Sequence, residues 1–253
     1  MKKQTIKNLV HTVAMLAMCL LLLALPAGYG RWSDTRLLHS VFARPQLEGV
    51  LDQQAQQIPV LYALYRKRYL GEEYHDYVDY SNSAEKQMQL KRMAEAVESL
   101  GVSGVLPQTL VERLAQQLEK SEQVSVWRQA GGFVGSSAFV AKIGRQESSC
   151  SMEQFEETGQ VTQLVCPIEF WMEISPQKVL EHYRSYLGLL ELKDWEWKNT
   201  ANPNQAGLWS AQGQIYLYCN VEGPYQMLTL GAFSIAPEQF QASYLEKSPK
   251  NRL

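Results

Sequence analysis

The 253-residue chain is 45% hydrophobic and 20% charged, which is the composition of a folded protein and excludes an intrinsically disordered one. Its formal net charge of -2 leaves no basic excess with which to neutralise phosphates, so nucleic acid is excluded as a partner. The four cysteines, Cys19, Cys150, Cys166 and Cys219, form no C-x-x-C motif, and the sequence therefore predicts neither a cysteine metal site nor a cofactor.

Residues 1–30 carry the strongest targeting signal in the sequence. Three lysines precede an uncharged run from Leu9 to Leu25, which ends at Pro26. A run rich in Leu, Ala and Met favours a helix that satisfies its own backbone hydrogen bonds within lipid. Its length fits both an uncleaved single-pass anchor and a cleaved signal peptide. We therefore predict a cell-membrane protein whose body lies outside the cytoplasm, with secretion after signal cleavage as the alternative.

Residues 31–121 show the three- and four-residue spacing of apolar positions that is typical of amphipathic helices. A short helix is predicted over residues 34–44, and a longer one after Pro45 is expected to kink at Pro59. Two more helices are predicted over residues 84–100 and 107–120. This stretch is interpreted as a helical region.

An acidic and aromatic cluster lies at residues 72–80, between these helices. In a helix, Glu72, His75, Asp76 and Asp79 would share one face, and Glu-x-x-His can supply two metal ligands. The second such motif that a di-metal site needs is absent from the sequence. We interpret the cluster as a solvated acidic face and predict no bound metal.

Residues 122–246 change to the alternation of apolar and polar positions that is typical of β-strands. The alternation is clearest from Thr162 to Ile174. Cys166 in this strand and Cys219 later in the chain both fall on the apolar phase, so they are expected to share one core. Further strands are predicted over residues 124–129, 133–143, 192–198, 215–221 and 226–235.

One helix interrupts these strands. Ser175 and Pro176 match an N-cap and a first helical position, and the helix is expected to reach Leu190. The sequence therefore predicts an α+β fold, with an N-terminal membrane-targeting helix, a helical half, and then a mostly antiparallel sheet with one crossover helix. Residues 247–253 are assigned to a polar tail.

The sequence contains no strong catalytic motif, such as G-x-S-x-G, H-E-x-x-H or a phosphate-binding glycine loop. The four residues from Ser175 to Lys178 match the S-x-x-K motif of serine-nucleophile enzymes, but no K-T-G or S-D-N follows them. We interpret Ser175 as a helix cap whose hydroxyl accepts a backbone hydrogen bond. His182 has no catalytic partner nearby in the sequence and is interpreted as a surface or half-buried residue.

Aromatic residues make up 10% of the chain, and several fall in the predicted sheet. Core packing explains many of them, but an exposed row of Trp and Tyr would suit contact with a protein, peptide or glycan. The candidate binding surface consists of Trp171, Trp195, Trp197, Tyr216 and Tyr218.

These features lead to three functional hypotheses. The first is a non-catalytic, membrane-anchored extracytoplasmic binding or accessory module of a bacterial-type cell envelope, which contacts the membrane through its N-terminal segment and an envelope protein, peptide or glycan through its body. The second is a secreted or anchored envelope hydrolase whose catalytic groups are dispersed in the sequence, and the third is a structural spacer. A cleft that held Ser or Glu beside His182 would favour the hydrolase, whereas an exposed aromatic patch would favour the binding module.

Overall fold

The computed structural model describes residues 57–70, 74–80, 84–129, 131–143, 146–168, 173–198, 202–222 and 227–240. The predicted membrane segment, the predicted helix over residues 34–44, Trp171 and the polar tail lie outside these ranges. Within them, no helix combines the length and the hydropathy that a membrane span requires.

The described residues include four complete helices, nine strands and a helical stretch over residues 237–240, in agreement with the predicted α+β class. The helices are α1 (Pro59–Leu70), α2 (Ala84–Val102), α3 (Gln108–Glu119) and α4 (Pro176–Tyr186). The strands are β1 (Tyr74–Tyr80), β2 (Val124–Gln129), β3 (Phe133–Ile143), β4 (Gln146–Phe155), β5 (Val161–Pro167), β6 (Trp195–Lys198), β7 (Gln205–Ser210), β8 (Ile215–Glu222) and β9 (Met227–Phe233).

All nine strands join one antiparallel sheet in the order β1-β2-β3-β4-β5-β9-β8-β7-β6. Strands β2 to β5 form a meander after α3, and β6 to β9 form a second meander after α4. The last strand of each meander lies at the centre of the sheet, where Leu164 of β5 pairs with Leu230 of β9. The sheet thus consists of two meanders, each preceded by a helix, whose last strands pair at the centre. Strand β1 pairs with the outer strand of the first meander.

Three of the helices lie on one side of the sheet, which we call the helix-covered face. Helix α4 packs on β7 and β8, and Ser99 Oγ of α2 lies 3.1 Å from Tyr186 Oη of α4, which places these two helices in one layer. Cross-strand neighbours share a face, so Leu164, Leu230 and Cys219 all point to this side. The described cysteines, Cys150, Cys166 and Cys219, are buried free thiols.

The thiols confirm the prediction that Cys166 and Cys219 share a core. Burial raises the pKa of Cys166 well above its ordinary range, and the neighbouring Cys150 and Cys219 thiols raise it further. Burial also raises the pKa values of Cys150 and Cys219, each from 9.0 to about 12. The apolar phase of the strands was therefore predicted correctly at these positions.

The opposite face carries aromatic rings and a buried ion pair. Tyr216 and Tyr218 pack against Phe240, with ring centroids 5.2 Å and 4.9 Å from it. Helix α1 also contacts this side, since the Lys67 ammonium donates to the Glu153 carboxylate of β4. Arg68 Nη1 donates to the Ser234 carbonyl at 2.9 Å, which ties α1 to the segment after β9.

Two glycines allow rings on this face to lie close to the backbone. A Cβ atom at Gly207 would fall 2.2 Å from Tyr216 Oη, and one at Gly135 would fall 2.1 Å from the Trp127 ring. Real Cβ contacts are far longer than this, so a larger residue at either position would displace the ring.

Three predictions about local structure are corrected. Residues 74–80 form strand β1 rather than a helix, because Tyr and Val favour a strand and β2 supplies a pairing partner. Pro59 begins α1 instead of kinking it, since a proline is well tolerated in the first turn. The strand predicted from Thr162 to Ile174 ends at Pro167, which lacks the N–H that continued pairing would need.

Candidate functional site

The structure separates the residues of the candidate binding surface. Tyr216 pairs with Trp209, and Trp209 pairs with Glu196, so these three side chains share the opposite face. Alternation along β6 then directs Trp195 and Trp197 to the helix-covered face. Trp171 lies outside the described residues.

The exposed fractions of the aromatic side chains reduce the number of rings that a ligand could contact. Tyr216 is 1% exposed and Tyr218 is 5% exposed, so neither offers a ring to a partner. Their packing against Phe240 explains this, and it corrects the expectation that they lie on an accessible surface. Trp197 is 46% exposed, and Trp195 is half-buried. Among the described members of the set, Trp197 is the ring most open to a ligand.

Trp197 forms one wall of a pocket of about 390 Å³. Residues of α4, β6, β7 and the turn before β7 line it. They include Gln177 and Glu181 of α4, Trp197 and Lys198 of β6, Asn202 of the turn, and Gln205 and Ala206 at the start of β7. This volume falls within the range of small-molecule sites.

The sequence of α4 explains how its polar residues reach the pocket. Val179, Leu180 and Tyr183 are buried and fix one side of the helix to the sheet. Tyr183 Oη donates to the Val161 carbonyl at 3.0 Å. Gln177 and Glu181 are four residues apart and therefore share the other side of the helix, where both are exposed.

Charged residues of both signs lie on β6 and α4. Lys198 Nζ lies 2.9 Å from Glu196 Oε2, and both residues alternate with Trp197 along β6, so this pair is directed to the opposite face, whereas Glu181 of α4 lines the pocket. Arg184 lies one turn after Glu181, with its guanidinium carbon 5.7 Å from the centre of the Trp195 ring. No described carboxylate pairs with Arg184, so this cation–π contact is what orients its side chain. The pocket region is polar and close to electrically balanced.

His182 does not enter this pocket, although it follows Glu181 in the sequence. Its Nδ1 lies 2.6 Å from the Gly104 carbonyl oxygen, in the turn between α2 and α3. The described part of the pocket therefore holds one carboxylate and no imidazole. No group of three or more His, Cys, Asp or Glu side chains suited to a metal ion occurs among the described residues.

Ser175 occupies the N-cap position of α4, as predicted, but its hydroxyl makes no capping bond. Its backbone is extended, and its carbonyl accepts the Val179 N–H at 3.1 Å, which is the first bond of the helix. Proline at the next position removes one of the N–H groups that a helix start leaves free. The expectation that the hydroxyl stabilises α4 through a backbone bond is therefore wrong. Ser175 and Lys178 are both exposed.

Sequence reasoning missed the ion pair between Lys67 and Glu153, because its partners are 86 positions apart. The two side chains are only 13% and 6% exposed. Thr162 Oγ1 also donates to Glu153 at 2.9 Å, and Lys67 Nζ lies 5.2 Å from the centre of the Phe133 ring. The described contacts of this pair join α1 to β4 and β5, so the pair attaches α1 to the sheet.

The pocket beside Trp197 is thus a described cavity of ligand size with a largely polar lining. Function has to be argued from this site, because a fold alone does not identify it. No protein family matches the chain, and no curated protein or solved structure is significantly similar to it.

Proposed function

We propose that this protein is a non-catalytic binding module, tethered to the cell membrane by its N-terminal segment, with its body outside the cytoplasm. The basic start and the uncharged run from Leu9 to Leu25 support the tether. The pocket beside Trp197 supports the binding role. Its ligand is a component of the cell envelope.

The observation that carries the proposal is the exposure of Trp197 at the wall of a preformed pocket. An indole has a large apolar area that gains free energy when a ligand covers it, and tryptophan is enriched among residues that dominate binding. The other described tryptophans, Trp127, Trp195 and Trp209, are all half-buried. Trp197 is therefore the most exposed of the described tryptophans, and a bound ligand would cover its apolar area.

Binding fits the pocket better than hydrolysis does. Glycoside hydrolysis needs a pair of carboxyl groups, and acyl transfer needs a nucleophile with an adjacent base. Among the described lining residues, Glu181 is the one carboxylate. The His182 ring does not line the pocket and contacts the Gly104 carbonyl oxygen instead. These groups can orient a ligand without transforming it.

The topology has a direct test. Protease added to intact spheroplasts should digest the body of the full-length protein. Protection in intact spheroplasts, with digestion only after lysis, would contradict an extracytoplasmic body.

Removal of the Trp197 ring tests the binding site. Full-length protein in detergent should sediment with washed cell-envelope material, and Trp197→Ala should weaken this binding at least about tenfold, since tryptophan anchors contribute about 2 kcal/mol or more. Tyr77→Ala is the matched control, because Tyr77 is 62% exposed on β1, at the other edge of the sheet. Equal binding by the two variants would contradict the proposed site.

A further inference from the structure

We infer that the ligand of this pocket is a saccharide, an inference that rests on the binding function proposed above. A partly exposed indole beside a pocket of about 390 Å³ offers a flat apolar wall next to a polar cavity. The C–H face of a sugar ring is flat and apolar, whereas its edge carries hydroxyl groups, so one ring can satisfy both surfaces.

The hydrogen-bonding groups of the pocket match hydroxyls. Gln177, Asn202 and Gln205 each contribute an amide, a group that both donates and accepts hydrogen bonds, and Asn202 Oδ1 already accepts the Asn204 N–H at 2.9 Å. A sugar hydroxyl also donates and accepts, so adjacent amides can engage it in more than one orientation. Glu181 adds a charged acceptor. A lining of this kind recognises many hydroxyls at once.

The charge balance argues against a strongly ionic ligand. Glu181 opposes an anion, and the ammonium of Lys198 is already paired with Glu196 at 2.9 Å. A phosphate-rich ligand would need unpaired cations or bidentate arginines around it. The pocket instead suits a neutral sugar, or one that carries only a single charge.

A peptide added as an extra strand fits less well. Strand β6 lies at the outer edge of the sheet, but it is only four residues long and exposes Glu196. Short, charged edge strands are a feature that discourages pairing with another chain. The edge therefore offers few backbone bonds to an extended peptide, whereas the pocket beside it is already formed.

The experiment is a calorimetric titration of the full-length protein in detergent with oligosaccharides of two to four sugars, in neutral, acetamido-bearing and acidic forms, and with extended peptides of similar length. At least one saccharide should bind saturably, and Trp197→Ala should weaken it at least tenfold. Trp197→Phe should retain part of the affinity, and Tyr77→Ala should leave it unchanged. Glu181→Gln should weaken binding less than Trp197→Ala, because an amide still accepts hydrogen bonds. Near-ultraviolet circular dichroism of each variant checks that it is folded.

The outcomes separate this inference from the proposed function. If no saccharide binds but the protein still sediments with envelope material through Trp197, the saccharide inference is wrong and the binding function stands. Peptide binding that depends on Trp197 would overturn the inference in the same way. If neither saccharides nor envelope material bind, both are wrong. Saccharide binding that is equal in Trp197→Ala and Tyr77→Ala would overturn the inference by placing the sugar elsewhere.

Discussion

The free energy of unfolding should fall by about 4 kcal/mol between pH 8 and pH 10. Burial raises the pKa values of Cys150 and Cys219 from 9.0 to about 12 and raises that of Cys166 well above its ordinary range. Above pH 9 these thiols ionise in the unfolded chain but stay protonated in the folded one. The folded state then binds more protons, so stability is complete below pH 9 and is lost as the pH rises towards 12. Between pH 9 and pH 12 each thiol lowers the free energy of unfolding by about 1.4 kcal/mol per pH unit, so most of the loss before pH 10 falls between pH 9 and pH 10.

Urea unfolding of the full-length protein at pH 8, 9 and 10, in the presence of a reductant, measures this loss. Burial also raises the pKa values of Tyr183 and Tyr216, so these tyrosines add a smaller loss as the pH approaches 10, where tyrosines of the unfolded chain begin to ionise. The matched variant is Cys219→Ala, in which the loss should be smaller by about one third because one of three thiols is gone. A free energy of unfolding that stays constant up to pH 10 would show that the thiols are not sealed within the core.

Glu153→Ala should destabilise the protein by about 3–5 kcal/mol, because it leaves the Lys67 ammonium buried without its partner. It also removes the acceptor of the Thr162 hydroxyl. Such a loss is a large fraction of the stability of a typical domain. The midpoint of urea unfolding, measured at pH 7 against the parent protein, gives the change.

Two further variants identify the cause. Arg128 Nη2 and Glu156 Oε1 lie 3.6 Å apart with both side chains more than half exposed, so Glu156→Ala should cost at most about 1 kcal/mol. Replacement of both buried partners, in Lys67→Met with Glu153→Leu, should cost less than Glu153→Ala alone, since no unpaired charge remains. A Glu153→Ala variant as stable as Glu156→Ala would show that the ion pair does not attach α1.

The alternation of side chains predicted the phase of the strands but not their surroundings. Trp195 and Trp197 share one face of β6, and Tyr216 and Tyr218 fall on the phase opposite the buried Cys219, as alternation along each strand requires. Alternation shows which residues share a face, but it carries no information about what covers that face. Phe240 covers the two tyrosines, and its position depends on contacts distant in the sequence.

Two strands were missed, and a third fell within the stretch interpreted as a helical region, for related reasons. β4 begins with the polar run Gln146 to Ser149. β7 follows a turn and is only six residues long. Both are held by neighbours on each side, so pairing compensates for a weak local pattern. In residues 74–80 the charges fit a helical face as well as a strand, and pairing with β2 decided between them.

Only part of the lining of the pocket could be predicted from the sequence. Its aromatic wall was recognised from the tryptophans of one strand, but its polar side chains come from a helix and a turn that carry no motif. Gln177, Asn202 and Gln205 are ordinary surface amides in the sequence. They become a site only because α4 packs across β7 and β8, which is a consequence of its buried face.

The most direct test of the binding site is a ¹⁵N-edited spectrum of the tryptophan side-chain N–H groups. The chain contains six tryptophans, and the signal of Trp197 is identified by its loss in Trp197→Phe. On addition of soluble fragments released from the cell envelope, the Trp197 signal should move in proportion to occupancy. The signals of Trp127 and Trp209, on the opposite face, should stay in place. Movement of Trp127 or Trp209 with Trp197 unchanged would contradict the site proposed here.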